Sequence, residues 1–168
     1  MVYGSVAAVV SVVMLGIGCM LYAEGDEKQA QEERAKLVVE YHQTVATMPR
    51  YARDALWLLG YLADYSEKLA DNEKEKVETT AKEYFFFVLG TGEMQRLIAG
   101  GKSDDKTLAE LRRHTTNIKE RVSKVRACFS EFGVKLELEH LGDDILVPPC
   151  IARVAGSAVD EYRKGDGK

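Results

Sequence analysis

Few residues in this chain have the type and spacing that catalysis or metal binding requires. The three histidines, His42, His114 and His140, are widely separated, and no HExxH motif pairs them. Glu137 and His140 stand three apart, as in the helix-borne ligand pair of di-iron bundles. That geometry needs a helix, a second copy and further inward glutamates, whereas these two fall in an alternating, strand-like stretch. Gly90-Thr91-Gly92 opens like a dinucleotide fingerprint, but Gln95 stands where the third glycine belongs and no strand precedes it. Helix punctuation accounts for those glycines. Asp104-Asp105 and Asp143-Asp144 read as cap and turn residues, and neither a Walker A lysine loop nor a GxSxG elbow occurs. No catalytic residue, cofactor site or metal site is expected, and the chain reads as non-enzymatic.

The cysteines and aromatics leave more to decide. Cys19, Cys128 and Cys150 are an odd count at wide spacing, with no CxxC, which excludes a zinc knuckle or a disulfide framework. Cys128 and Cys150 have two readings: a single bridge if the domain faces an oxidising compartment, or two inert thiols. Trp57, Leu58, Tyr61 and Tyr65 share one side of a predicted helix whose other side carries Ala52, Leu56, Leu59 and Ala63. A helix apolar on two faces belongs at the centre of a bundle or offers its second face to a partner. The four residues 57, 58, 61 and 65 are therefore the candidate protein interface, with an apolar ligand cradle as the competing use.

The elements that position these groups follow from pattern. The chain has 168 residues and a net charge of -4, with acids and bases interleaved. It therefore lacks the basic face that phosphate neutralisation demands, and nucleic acid is not an expected partner. Residues 1–23 hold no charged side chain, and from Glu24 onward charges are frequent. Residues 2–23 as a helix span about 33 Å, enough for a hydrocarbon core of about 30 Å. A lipoprotein signal would need a basic start and a branched apolar residue three before Cys19, where Gly16 stands. A cleaved signal would need a small residue at Leu21 as well as at Ala23. An uncleaved transmembrane anchor fits best. Within it Gly4, Ala8, Ser11, Leu15 and Gly18 follow a four-three spacing, a stripe of mostly small residues suited to close helix packing in lipid. Lys28, Arg34 and Lys36 follow the segment and no Lys or Arg precedes it, which favours the cytoplasmic or matrix side for the rest of the chain. Acidic Glu24, Asp26 and Glu27 come first in that flank and leave the opposite topology open.

Beyond the anchor, residues 24–48 are expected to continue as a charged helical stalk or first bundle helix. Its face is Val38, Tyr41, Val45 and Met48, and it ends at Pro49. Residues 49–133 should form the helical bundle: a helix over 50–70; another opened by an Asn72/Glu75 capping box and stopped at Gly90; a short turn of helix from Thr91 to Gly100; and a long one capped by Ser103. That last helix carries a heptad seam of Leu108, Leu111, Ile118, Val122, Val125, Phe129 and Phe132, available within the chain or between chains. After Gly133 the period changes to two, so residues 134–149 are read as a minor β-hairpin. Residues 150–164 return to a helix with Ile151, Val154, Ala158 and Tyr162 on one face, and 165–168 form a tail.

The fold class expected is thus mainly α: one N-terminal transmembrane helix, a bundle of four to five helices and a small C-terminal hairpin. The arrangement resembles phage envelope-lysis proteins and bacterial division tethers in layout, and equally single-span accessory subunits of membrane complexes, without a shared motif. The function expected is a non-catalytic accessory subunit that docks on other membrane-protein subunits. A self-assembling envelope effector or tether, a homo-oligomer through the heptad seam, is the first alternative. A membrane-anchored small-molecule binder is the second.

Overall fold

A computed structural model describes the backbone of residues 4–133 and 146–165, and the side chains of 25–133 and 146–165. Five helices account for it: α1 (Gly4–Ala46), α2 (Ala52–Tyr65), α3 (Asp71–Ala99), α4 (Asp105–Glu131) and α5 (Pro149–Lys164). No strand occurs among the described residues, and most of the expected hairpin, at 134–145, lies outside them. Residues 146–148 carry no regular secondary structure and lead into α5 at Pro149.

Salt bridges give the helix directions. Glu33 pairs with Arg112 and Glu40 with Lys119, so α1 and α4 run parallel. Lys76 pairs with Glu131 and Glu83 with Arg121, so α3 runs antiparallel to α4. Arg153 on Glu78 and Lys82 on Glu161 set α5 parallel to α3. The α3–α4 pair is the spine, with α1 on one half and α2 and α5 on the other.

The core divides in the same way. Tyr41 of α1 is buried with Phe87, Met94, Leu108, Leu111, Ile118 and Val122. Ala52, Ala55, Leu56 and Leu59 of α2 are buried with Val77, Ala81, Val125, Phe129, Ile151 and Val154. The whole heptad seam of α4 is therefore used inside the chain, Phe132 being half-buried against the second group. Burial of this stripe, at roughly 1.5–3 kcal/mol for each large side chain removed from water, is the main stabilisation of α4.

Several helix ends differ from the sequence expectation. The cap of α4 is Asp104, not Ser103: its carboxylate accepts from the Thr107 backbone N–H at 2.8 Å. At α3 the helix starts at Asp71, and the Glu73 carboxylate accepts from the Ala70 N–H at 2.8 Å, in place of the expected Asn72/Glu75 box. Gly90 does not stop α3, which continues through Gly90 and Gly92 to Ala99 as one helix. A glycine inside a helix costs about 1 kcal/mol against alanine. Here the buried apolar side chains on both sides of Gly90, Phe87 and Met94, repay that cost. The real stop is Gly100-Gly101, where Gly101 takes φ +68°, a left-handed conformation that glycine adopts without steric penalty. Within the Tyr84–Leu89 run, Phe86 and Phe87 are buried, Tyr84 and Phe85 are half-buried and Val88 is 44% exposed. The predicted 50–70 helix is shorter, ending at Tyr65, because Ser66 turns to an extended conformation.

Helices α2 and α5 approach closely at Gly60. A Cβ on Gly60 would stand 2.5 Å from Ile151 Cγ1 and 3.0 Å from Pro148 Cγ. Because Gly60 has none, α5 can drop onto α2 there, and the Asp64 carboxylate reaches across to accept from the Cys150 N–H at 3.0 Å. That bond satisfies one of the amides left unpaired at the start of any helix. Gly60→Ala should lower stability by about 1–2 kcal/mol, overpacking outweighing the gain in helix propensity. Ile151→Ala should cost about 1 kcal/mol less in the Gly60→Ala background than in the native chain, as read from urea midpoints of the four proteins. Strict additivity would show that the two residues do not press on each other.

Candidate functional site

The four residues of the predicted interface have different environments. Trp57 is half-buried beside Arg53, whose guanidinium carbon stands 5.2 Å from the ring centroid. Arg53 Nε donates to the buried Asp54 carboxylate at 2.9 Å, which holds the cation in place. Leu58 is exposed, and Tyr65, at 71% exposure, stacks on Tyr61 with centroids 5.9 Å apart. Tyr61 is anchored, its hydroxyl donating to the Leu146 carbonyl at 2.6 Å.

Trp57 also forms one wall of an apolar groove of about 500 Å³ between α2, α3 and α5. Tyr84, Phe85 and Val88 supply the α3 wall, Ala152 and Ala155 the α5 wall, with Val147 at one end. Val88 and Val147 are each 44% exposed, and Leu146 next to Val147 is 80% exposed. Sequence reasoning found Trp57 but missed the other walls. Nothing in the helical period of α3 sets Tyr84 and Val88 apart from its core residues, and the two alanines carry no signal until α5 is laid beside α2. The Tyr84 phenol is pushed above its ordinary pKa by burial, with Arg53 opposing, so it stays neutral and apolar at physiological pH.

The polar clusters elsewhere act as ties. Glu83 of α3 accepts from both Arg121 and Lys124 of α4, and the Arg121 guanidinium lies 4.5 Å from the centroid of Phe86. Lys124 is held above its usual range, chiefly by its hydrogen bond to Glu120. Arg34 of α1 donates to the Ile98 carbonyl at 2.6 Å, closing the last turn of α3 from outside. His114 is buried, with Arg113 Nη2 3.5 Å from its Nε2, long for a hydrogen bond. Among the described residues no three of His, Cys, Asp and Glu gather closely enough to hold a metal ion. His140, Glu137, Asp143 and Asp144 lie outside them, as do the side chains of Cys19 and of the stripe Gly4, Ala8, Ser11, Leu15 and Gly18. Among the residues whose side chains are described, no helix is long and apolar enough to cross a membrane.

Cys128 and Cys150 are both free and both buried, which replaces the bridge reading with that of two separate thiols. Cys128 sits under α3, its thiol pushed up by burial. Cys150 contacts the Gly60 carbonyl at 3.5 Å, and its pKa is raised to about 12 by burial and by the adjacent Asp64 carboxylate. A thiol in this state is a poor nucleophile. In a Cys19→Ala protein neither thiol should be alkylated by iodoacetamide until urea unfolds the chain; rapid reaction of the native protein would place a thiolate at the surface.

The same shift has a pH consequence. The folded state holds the Cys150 proton more tightly than the unfolded chain, so the stabilisation is complete below about pH 9 and is lost as pH rises toward 12. The urea midpoint should therefore fall between about pH 8 and about pH 10.5, and fall less in Cys150→Ala. Equal decline in both proteins would remove Cys150 as the cause. No protein-family model matches this chain, and neither a curated protein nor a solved structure is similar to it.

Proposed function

We propose that this is a non-catalytic, single-span membrane protein acting as a structural or accessory subunit of a larger membrane complex. Residues 2–23 form the span, and the helical head docks on a partner subunit through the outer face of α2 and the groove beside it. The reading is carried by where apolar surface is left exposed. Of the six large hydrophobic side chains exposed among the described residues, five (Leu58, Tyr65, Val88, Leu146 and Val147) lie on α2, on the groove walls or at 146–147. Val39 alone lies elsewhere, on α1. Contiguous apolar exposure of this kind is characteristic of interaction surfaces. Aromatic anchors such as Trp57 and Tyr65 are the residue types that carry interface energy. The uncharged run 2–23 and the basic residues that follow it support the membrane span and a head on the cytoplasmic or matrix side. Self-assembly through the heptad seam loses its motive, because α4 buries that seam against α1 and α3, in clusters that residues of α2 and α5 complete.

Mild-detergent extraction of the full-length protein followed by native mass spectrometry tests the reading. It predicts other membrane proteins at fixed stoichiometry. The double variant Leu58→Ser/Tyr65→Ser should release them while leaving thermal stability within about 0.5 kcal/mol per exposed site. Ala8→Leu/Ser11→Leu should weaken the same complexes through the span. Homo-oligomers alone, or unchanged complexes in both variants, would overturn the accessory-subunit reading.

A further inference from the structure

We infer that the α3–α4 loop, residues 100–104, lies against the headgroup layer of the bilayer, so that this end of the bundle is a membrane-apposed surface. The inference rests on the proposed span at residues 2–23. Its basis is the register between α1 and α4. Glu33 with Arg112 and Glu40 with Lys119 are both 79 positions apart, so a residue of α1 lies level with the α4 residue 79 further on. Half-buried Ala30 of α1 accordingly packs in the same cluster as Leu108. Carried back along the helix, this register sets Gly25 level with the cap Asp104, and Asp26 level with Asp105. The antiparallel pairing of α3 with α4 brings Ala99 and Gly100 to the same height.

Ala23, the last residue of the uncharged run, is two residues before Gly25, about 3 Å along the axis. Helix α1 is unbroken from Gly4 to Ala46, so no hinge separates the two levels. The Arg34 hydrogen bond to the Ile98 carbonyl further fastens α1 to the end of α3. The opposite end of α4, at Glu131, stands about 40 Å farther along the axis.

The chemistry of the loop suits the polar layer of a bilayer. Gly100-Gly101 brings bare backbone, Lys102, Ser103 and Lys106 bring donors, and the Asp104 carboxylate is already engaged by the Thr107 N–H. Lys102 and Lys106 are offset by Asp104 and Asp105, so the surface has no net attraction for anionic lipid. Proximity is imposed by the helix, and zwitterionic headgroups serve as well as anionic ones.

The test uses the full chain with Cys19→Ala, reconstituted in phosphatidylcholine vesicles containing headgroup-nitroxide lipid. Lys102→Cys and, separately, Asp71→Cys carry an environment-sensitive fluorophore. Quenching of the label at 102 but not at 71 is expected. A seven-residue helical insertion after Glu27 raises the head about 10 Å while nearly keeping its face. It should abolish most of the quenching at 102, whereas a loop that held lipid by its own affinity would keep it. Protein that stays with the vesicles yet shows no quenching at 102 overturns the apposition and leaves the span intact. Protein that does not enter the vesicles at all overturns the span and the apposition with it.

Discussion

Pairing of α3 with α4 is the constraint on which the rest of the bundle depends. These are the two longest helices of the head, and the two larger core clusters are each built on one half of their shared length, while Phe86 of α3 packs with Ala158 and Tyr162 of α5 in a third. The half near Ile118 and Met94 receives α1; the half near Val77 and Phe129 receives α2 and α5. Glu83, gripped by Arg121 and Lys124 at one level, and the Lys76–Glu131 pair near the far end keep the two helices in register. An exposed ion pair stabilises little by itself, but several in one register select it over a slipped alternative. Slippage by one turn would move Ile118 away from Gly90, beside which it packs.

Closeness is obtained wherever side chains are small. Ala52 and Ala55 let α2 approach α3, and Gly60 lets α5 approach α2. The surface shows the consequence: with Ala52, Ala55, Leu56, Leu59 and Gly60 turned inward, the opposite face of α2 leaves Leu58 and Tyr65 in water. The same arrangement opens the groove between α2, α3 and α5, because Ala152 and Ala155 are too short to fill it. The interface proposed for this protein is thus a by-product of how tightly its interior is packed.

Near the start of α1 the governing quantity is length rather than affinity. A continuous helix fixes the distance between the uncharged run and the first packed residue at 1.5 Å per residue. With packing beginning near Ala30, only about two turns remain free after Ala23. Under the span proposed above, a head held that near a bilayer would turn its lower end to lipid and its exposed patch to whatever lies beside the span.

Helix content, the order of the helices, the buried faces of α4 and α5 and the division between an uncharged run and a charged remainder were readable from the residues alone. They are local properties: Leu108, Leu111, Thr115, Ile118, Val122 and Val125 repeat at three and four, and Ile151, Val154, Ala158 and Tyr162 do the same. Only the tertiary structure could decide what Gly90 does, since its local cost is outweighed by contacts with residues almost thirty positions away. It alone placed the caps at Asp104 and Glu73, where competing hydrogen-bonding residues stand side by side in sequence. It alone separated Cys128 from Cys150 and assembled a groove from three helices, because distances between elements are set by packing and leave no trace in the period of any one of them.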